Sequence, residues 1–279
     1  MTAPLSVQLY SLGALPAEDP SAVVAKLAAL GYVGVEPVLS TGWTDAMREM
    51  ARNMGADDMP AVDAHALKRA LDEHGLVAHA SHVQLPEGEF AEAILDEQEM
   101  LGSTMIVVPA LFDAETNSVE SFSDLDRIKR LAERFNQAAD RARPRGIRVG
   151  YHNHFWEFAT DFDGRSGLEV FYELVEPDVF AEVDIYWAQL GGRDPLDLVR
   201  SLGDRVALLH VKDGDGTLGA PSCELGTGVV DLPGVLTAAT AATWHVVELE
   251  GIGPDAIYPA LEASARHLVD AGLSTSRSG

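Results

Sequence analysis

Short apolar runs alternate with amphipathic stretches of helical period along the whole chain, and this alternation limits the fold more than any other feature. The runs with strand character lie at Val7–Tyr10, Val33–Glu36, Val77–Val83, Met105–Val108, Arg148–Tyr151, Phe180–Asp184, Val206–His210 and His245–Glu248. Parallel strands joined by helices predict a parallel sheet, and eight such units predict a closed barrel. An open, doubly wound sheet is the alternative, but no G-x-G-x-x-G motif follows the first strand. We therefore predict an α/β fold, a single (β/α)₈ TIM-barrel domain over residues 1–279.

The predicted helices begin near capping residues, and most end at glycines or prolines. The first has Asp19 as its N-cap, Pro20 in its first turn and Gly31 beyond its end. The others are predicted at Asp63–His74, Glu89–Leu101, Ser123–Arg143, Leu168–Val175, Leu196–Leu202, Leu232–Ala242 and Pro254–Val269. Small polar residues from about residue 273 predict a short flexible tail.

Composition argues against several classes of function. The net charge is −24, from 20 Lys and Arg against 44 Asp and Glu, so a broad nucleic-acid-binding surface is not expected. The single cysteine, Cys223, cannot form an internal disulfide, which fits a reducing compartment. No signal peptide is visible, and no apolar run reaches the length of about eighteen residues that a membrane span needs. We expect a cytoplasmic protein, and the sequence leaves open whether it forms a homo-oligomer.

Ionisable side chains collect where the predicted strands end, which is where TIM barrels hold their active sites. The residues at these ends are Glu36, His82, His152, His154, Glu157, Asp184, Trp187, His210, Lys212, Asp213, Glu248 and Glu250. Side chains alternate along a strand, so His152 and His154 are predicted to point the same way. Buried carboxylates need a cation or several donors, and mixed carboxylates and imidazoles suit Mn²⁺, Co²⁺, Zn²⁺ or Fe²⁺. The sequence therefore predicts a divalent-metal site at this end.

The same residues also have a structural interpretation. Asp184 and Glu248 would then pair with lysines or arginines of the barrel. Lys212 would form a surface ion pair with the neighbouring Asp213. Trp187 would pack in the wall instead of stacking on a sugar ring. The convergence of so many ionisable groups favours the functional interpretation.

Six segments resemble the sugar phosphate isomerase/epimerase family of xylose-isomerase-like, metal-dependent TIM barrels. They are LGYVGVEP, YHNHFWEF, VDIYWAQLGG, LLHVKD, LGTGVVD and VVELEG, and they cover most of the chain in the expected order. The resemblance implies one divalent ion held by strands five to eight, with Asp184, His210 and Glu248 in three ligand positions. It also implies positions near the substrate, which are Glu157, Trp187 and Lys212.

The fourth ligand position departs from the ketose epimerases of this family. There, strand five supplies a glutamate that works with the strand-eight glutamate to move a proton between the two faces of a carbon. This chain has His152 at that position, and a coordinated imidazole cannot serve as a second carboxylate base. A YHNH-containing branch that resembles inosose dehydratases also carries histidines here. Its chemistry removes a proton next to a carbonyl and then expels a hydroxyl or glycosyl group.

The resemblance implies an enzyme of carbohydrate metabolism that acts on a sugar or cyclitol. We predict a metal-dependent isomerase or epimerase that abstracts a proton next to a carbonyl and forms a metal-stabilised enediolate. The alternative is a keto-sugar or keto-cyclitol lyase or dehydratase that acts by β-elimination. An apurinic-endonuclease-like nuclease would need several zinc ions and a basic DNA face, and a non-catalytic sugar-binding module would not need the ligand set.

The candidate residues fall into three groups. The candidate catalytic residues are Glu248, Glu157, His154 and Lys212. The candidate metal ligands are His152, Asp184, His210 and Glu248. The candidate substrate contacts are Glu36, His82, Trp187 and Glu250.

Overall fold

The computed structural model describes residues 2–45, 48–49, 61–113, 118–119, 122 and 124–277. Its strands are β1 (Leu5–Gln8), β2 (Gly34–Glu36), β3 (Val77–Ala78), β4 (Ser81–His82), β5 (Met105–Val108), β6 (Phe112–Asp113), β7 (Ser118–Val119), β8 (Arg148–His152), β9 (Phe180–Asp184), β10 (Val206–Val211) and β11 (Trp244–Val247). Nine of these described strands form one parallel sheet in the order β3–β2–β1–β11–β10–β9–β8–β5–β4. A separate antiparallel pair joins β6 to β7.

Helices surround the sheet and alternate with its strands. They are α1 (Leu15–Glu18), α2 (Pro20–Ala29), α3 (Ala64–His74), α4 (Ala91–Leu101), α5 (Leu125–Ala142), α6 (Gly167–Leu174), α7 (Ile185–Leu190), α8 (Pro195–Leu202), α9 (Leu232–Ala238) and α10 (Pro254–Asp270). The edge strands β3 and β4 are consecutive in the chain, so the sheet nearly closes on itself. The predicted α/β TIM barrel is confirmed.

Burial explains why the strands are visible as continuous apolar runs. Every residue of β1, β5, β9 and β10 is buried, as expected of a parallel sheet covered by helices. The predicted N-cap of α2, Asp19, is also confirmed, because the Ala22 backbone N–H donates to Asp19 Oδ1 at 2.9 Å. Among the described helices, none is long and apolar enough to cross a membrane.

The third predicted strand, Val77–Val83, is divided into β3 and β4. The first half pairs with β2, and the second half pairs with β5. The division occurs beside Pro37, which has no backbone N–H to donate to a ladder. The Pro37 carbonyl instead accepts from the His82 backbone N–H at 2.9 Å. This exchange of partners closes the barrel and fixes the backbone at His82.

Other boundaries differ at helix ends. The helix predicted over Leu232–Ala242 ends at Ala238, because the chain must return to β11 at Trp244. The sequence did not predict α7, whose six residues are too few to show a helical period. The long helix predicted from Ser123 begins at Leu125 with Asp124 as its N-cap, and Ser123 itself lies outside the described residues.

The expected tail is held to the barrel over part of its length. The Thr275 backbone donates to the Ala3 carbonyl at 3.0 Å and accepts from the Leu5 N–H at 2.9 Å. The Arg277 N–H donates to the Gly31 carbonyl at 2.9 Å. These hydrogen bonds hold Thr275 and Arg277 to the barrel, and the flexibility of the tail from about residue 273 stays a prediction.

Candidate metal centre

Four side chains from neighbouring strands converge at the carboxyl ends of the barrel. His152 ends β8, Asp184 ends β9, His210 lies near the end of β10, and Glu248 directly follows β11. The four strands are adjacent in the sheet, and His210 is paired in register with Asp184. Each residue offers one ligand atom, and the four atoms lie within 4.8 Å of one another. All four residues are buried, and the cluster could bind a metal ion.

The protein leaves one oxygen of this cluster without a partner. The Trp187 backbone N–H donates to Asp184 Oδ1 at 2.7 Å and so caps α7, whereas the buried Asp184 Oδ2 accepts no hydrogen bond from any described residue. Burial raises the pKa of Asp184 to about 7, because the ionised carboxylate loses its hydration. A divalent cation would favour the ionised form and would take Oδ2 as a ligand. The residues present therefore fit such an ion.

Lys212 is a buried cation beside the cluster. Its Nζ lies 2.7 Å from Glu250 Oε1 and 3.4 Å from Glu248 Oε2, and 4.4 Å from the centre of the Trp187 ring. Burial alone would lower the pKa of Lys212, but Glu248 and Glu250 raise it above its usual value. Burial would likewise raise the pKa of Glu248, but Lys212 and His210 hold it well below its usual range. The alternative of a surface ion pair with Asp213 is wrong, because Lys212 is 1% exposed.

Asp213 instead anchors the loop that leads from β10 to α9. Its Oδ1 accepts from the N–H groups of Gly214 and Val230, at 3.0 and 3.1 Å. Its Oδ2 accepts from the N–H groups of Gly226 and Gly228, at 3.1 and 3.0 Å. Four backbone donors converge on one carboxylate, so the LGTGVVD segment is shaped around this side chain.

Replacing Asp213 with Ala is expected to lower the free energy of unfolding by about 3 kcal/mol, because several N–H groups lose a charged acceptor. The matched control is Asp231→Ala, at the end of the same loop, which removes an N-cap that accepts from Gly234 N–H alone among the described residues. The free energy of unfolding of that control should fall by about 1 kcal/mol. Urea denaturation measures both variants, and equal losses would contradict the anchoring role of Asp213.

His154 and Glu157 lie beyond the end of β8. The His154 ring stacks on Trp156, with centroids 4.1 Å apart, and its centroid lies 4.9 Å from that of His152. The Tyr151 hydroxyl donates to Glu157 Oε1 at 2.6 Å, and the His154 backbone N–H donates to Oε2 at 2.9 Å. Burial raises the pKa of Glu157 to about 7. Both oxygens of Glu157 are therefore occupied by groups of the chain.

Glu36 and His82, two predicted substrate contacts, belong to a polar layer in the barrel interior. Glu36 ends β2 and is 0% exposed, and its Oε2 accepts from Gln8 Nε2 at 2.9 Å and lies 2.7 Å from His210 Nε2. His82 Nε2 lies 2.7 Å from Oε2 of Glu182. The Oε2 contacts of Glu36 are thus side chains of the barrel, and its role as a substrate contact stays a prediction.

Glu182 is the buried residue that the sequence interpretation missed. It lies two positions before Asp184 on β9, so the two carboxylates project from the same face of the strand. A carboxylate between Ala181 and Val183 was the available signal, because a charge within a buried apolar strand needs partners. Those partners are distant in sequence and become visible only in the barrel.

The comparison with family models decides the classification. Residues 24–269 match the model described as the xylose isomerase-like TIM barrel. The chain belongs to this family. The resemblance identified from the sequence is therefore confirmed.

Solved structures and curated proteins add relatives of this xylose isomerase-like barrel. A sugar phosphate isomerase/epimerase from Parabacteroides distasonis ATCC 8503 has a similar fold, with a TM-score of 0.77, 24% identity, and coverage of 99% of this chain and 96% of that one. The IOLI protein, solved with a bound zinc atom, has a TM-score of 0.67, 15% identity, and coverage of 96% and 97%. An inosose dehydratase from Lacticaseibacillus casei is 31% identical over 93 residues, which are 33% of this chain and 30% of that protein.

Proposed function

We propose that this chain is a divalent-metal-dependent enzyme that removes a proton from the carbon next to the carbonyl of a sugar or cyclitol. The proposed metal ligands are His152, Asp184, His210 and Glu248. The observation that carries the proposal is the unpartnered Oδ2 of Asp184 within a buried cluster of carboxylates and imidazoles. The IOLI structure, solved with a bound zinc atom, supports a metal in a protein of this fold, and the related isomerase/epimerase and dehydratase support the class of substrate.

The chain's own groups account for proton removal. A divalent ion, when bound, would polarise the carbonyl and adjacent hydroxyl oxygens of the substrate and stabilise the negative charge left by proton loss. Glu248 is the proposed base, because Lys212 and His210 keep it ionised. Lys212 is proposed to donate a hydrogen bond to a substrate oxygen. The Trp187 ring beside it offers an apolar wall for a sugar or cyclitol ring.

Glu157 and His154 are proposed to shape the site instead of taking the proton. Both oxygens of Glu157 already accept hydrogen bonds, one of them from the His154 backbone. Burial, with Lys212 nearby, lowers the pKa of His154 to about 3, so its imidazole stays neutral. Glu157 therefore holds the backbone at His154, and the His154–Trp156 stack forms a wall of the site.

Of the two reaction outcomes, the site favours β-elimination. Two-base epimerisation needs a carboxylate opposite Glu248, and that position is occupied by His152, whose pKa burial lowers well below its usual value. In the elimination, Glu248 would take the proton and the C–H electron pair would become the new C=C bond. The C–O bond to the β-hydroxyl would break with its electron pair on oxygen, and that oxygen would take up the proton from Glu248 and leave as water. Isomerisation remains the second candidate, supported by the similarity to the sugar phosphate isomerase/epimerase.

The test is incubation of the metal-loaded protein with keto-cyclitols and keto-sugars in D₂O, followed by mass spectrometry. We expect deuterium exchange next to the carbonyl and loss of one water, whereas an isomerase would conserve the mass of the substrate. Glu248→Gln should slow exchange by about 10²- to 10⁴-fold, the usual contribution of a general base. The matched control is Glu224→Gln, in an exposed position of the loop that follows β10, and it should exchange at the wild-type rate.

No exchange with any substrate after loading with Mn²⁺, Co²⁺, Zn²⁺ or Fe²⁺ would contradict the proposed function. Exchange at the wild-type rate in Glu248→Gln would contradict the assignment of the base. Metal content is measured in every sample, so that loss of the ion and loss of the base are separated.

A further inference from the structure

A layer of buried carboxylates and imidazoles lies against the histidines of the proposed metal centre. Glu182 Oε2 approaches three imidazole nitrogens, namely His82 Nε2 at 2.7 Å, His210 Nε2 at 3.1 Å and His152 Nδ1 at 3.2 Å. Glu36 Oε2 approaches His210 Nε2 at 2.7 Å. All of these residues are 5% exposed or less, so water does not screen the contacts.

Each of the two ligand histidines turns one identified nitrogen toward this layer. His210 directs Nε2 to Glu36 and Glu182, and its Nδ1 lies 3.3 Å from Glu248 Oε2, on the side of the proposed metal centre. His152 Nδ1 lies 3.2 Å from Glu182 Oε2 and makes no hydrogen bond with any described residue. A neutral imidazole carries one N–H, and a carboxylate facing one nitrogen fixes the N–H there and leaves the other nitrogen's lone pair for a metal.

We propose that Glu182 is the positioning residue of the metal centre. With an ion bound, it would accept the N–H of His152 Nδ1, which no described residue accepts, and together with Glu36 it faces His210 Nε2, so that His152 Nε2 and His210 Nδ1 are the ligating nitrogens. The inference rests on the proposed function. Glu36 supports the orientation of His210, and His82 lies between the two carboxylates, 2.7 Å from Glu182 and 3.4 Å from Glu36. The carboxylates also raise the basicity of the ligand rings, which tightens metal binding.

A second metal ion in this layer is the competing interpretation. His82, His152, Glu182 and His210 also present ligand atoms within 4.8 Å of one another. However, the separations of 2.7 Å from His82 to Glu182 and from His210 to Glu36 are hydrogen-bond lengths. Two ligands of one zinc ion would lie roughly 3.3 Å apart, given metal–ligand bonds of about 2.0–2.1 Å. An ion in this layer and an ion in the proposed metal centre would also both need His152 and His210 as ligands. We therefore interpret the 2.7 Å contacts as hydrogen bonds.

The first experiment measures Zn²⁺ affinity by competition with a chromophoric chelator. Glu182→Gln should weaken binding by about 10- to 100-fold, because its neutral amide cannot replace the charged acceptor. The matched control is Glu169→Gln. Glu169 is half-buried, pairs with Arg193 and caps α6 on the outside of the barrel. The Zn²⁺ affinity of this variant should equal that of the wild type. Wild-type affinity in Glu182→Gln would overturn the inference.

The second experiment identifies the nitrogens in Zn²⁺-loaded wild-type protein labelled with ¹⁵N-histidine. Long-range ¹H–¹⁵N spectra should show a protonated Nδ1 on His152 and a protonated Nε2 on His210, each with zinc on the opposite nitrogen. If Glu182 has a purely structural role, no fixed assignment of the protonated and the zinc-bound nitrogen is expected. Protonated His152 Nε2 and His210 Nδ1, with zinc on the other nitrogens, would overturn the inference even if Glu182→Gln fails to fold. Two zinc ions per wild-type chain, one of them lost in Glu182→Gln, would establish the second metal instead. No zinc in wild type would refute the proposed function together with this inference.

Discussion

Asp184→Asn is expected to abolish divalent-metal binding while leaving the barrel folded. The two oxygens of Asp184 have different roles, because Oδ1 caps α7 through the Trp187 N–H and the buried Oδ2 has no partner among the residues described. Asparagine keeps an oxygen that can accept the capping hydrogen bond, and asparagine is a good N-cap. It places an NH₂ group where the second oxygen was, and an amide nitrogen is not a metal ligand. The change therefore removes the proposed ligand and keeps the helix terminus.

We expect the affinity for Mn²⁺ or Zn²⁺ to fall by more than about 100-fold, since even loss of a residue behind a ligand costs 10- to 100-fold. Elemental analysis after dialysis measures the ion, and urea denaturation with and without chelator measures its linkage to folding. At a free metal concentration of 1,000 Kd, the ion should stabilise wild type by about 4 kcal/mol and the variant by almost nothing.

The matched control is Asp194→Asn. Asp194 is also an N-cap, since its Oδ1 accepts from Leu196 N–H at 2.8 Å and Asp197 N–H at 3.1 Å, but it is exposed and heads the neighbouring helix α8. It should retain the metal affinity of wild type. Equal metal content in wild type and Asp184→Asn would show that Asp184 is only a cap.

The outer part of the candidate site could be predicted because each residue stands at a recognisable place in the sequence. Asp184, His210 and Glu248 each end or follow an apolar run, and the barrel topology carries the ends of successive strands to one edge. Their proximity thus follows from local pattern and strand order. The same reasoning predicted the buried position of His152, since strand periodicity requires no knowledge of distant residues.

The inner layer could not be predicted in this way. Glu182 has partners on β4, β8 and β10, and its His82 contact joins residues 100 positions apart. Pairing across a barrel depends on register and on which strand is divided, and the division of β3 from β4 was itself not predicted. For the same reason Lys212 was open to interpretation as a partner of Asp213, its neighbour in sequence. In the structure, Lys212 instead pairs with Glu250, and Asp213 accepts from backbone N–H groups of its loop.

His152→Glu is expected to lower the free energy of unfolding of the metal-free protein by about 3 kcal/mol. The His152 ring stands 3.2 Å from Glu182 Oε2, so a glutamate there brings two buried carboxylates together. One of them must take up a proton or find a cation, because like charges at such a distance cannot both remain ionised. Adding Glu182→Gln removes the repulsion, and the pair should show a coupling energy of about 1–3 kcal/mol in a double-mutant cycle.

The reaction is expected to change with the same substitutions, because a carboxylate at position 152 supplies the second base that two-base epimerisation needs. The metal-loaded double variant should therefore form a product with the mass of the substrate, whereas the wild type is proposed to release water. The control cycle uses His245→Glu, a buried histidine whose Nδ1 lies 2.7 Å from Ser274 Oγ, combined with Glu182→Gln. His245 is the second residue of β11 and lies toward the end of the strand opposite Glu248. The losses of unfolding free energy caused by these two changes should therefore add within about 0.5 kcal/mol. Additivity of His152→Glu with Glu182→Gln, together with unchanged metal binding and products, would remove His152 from the metal centre.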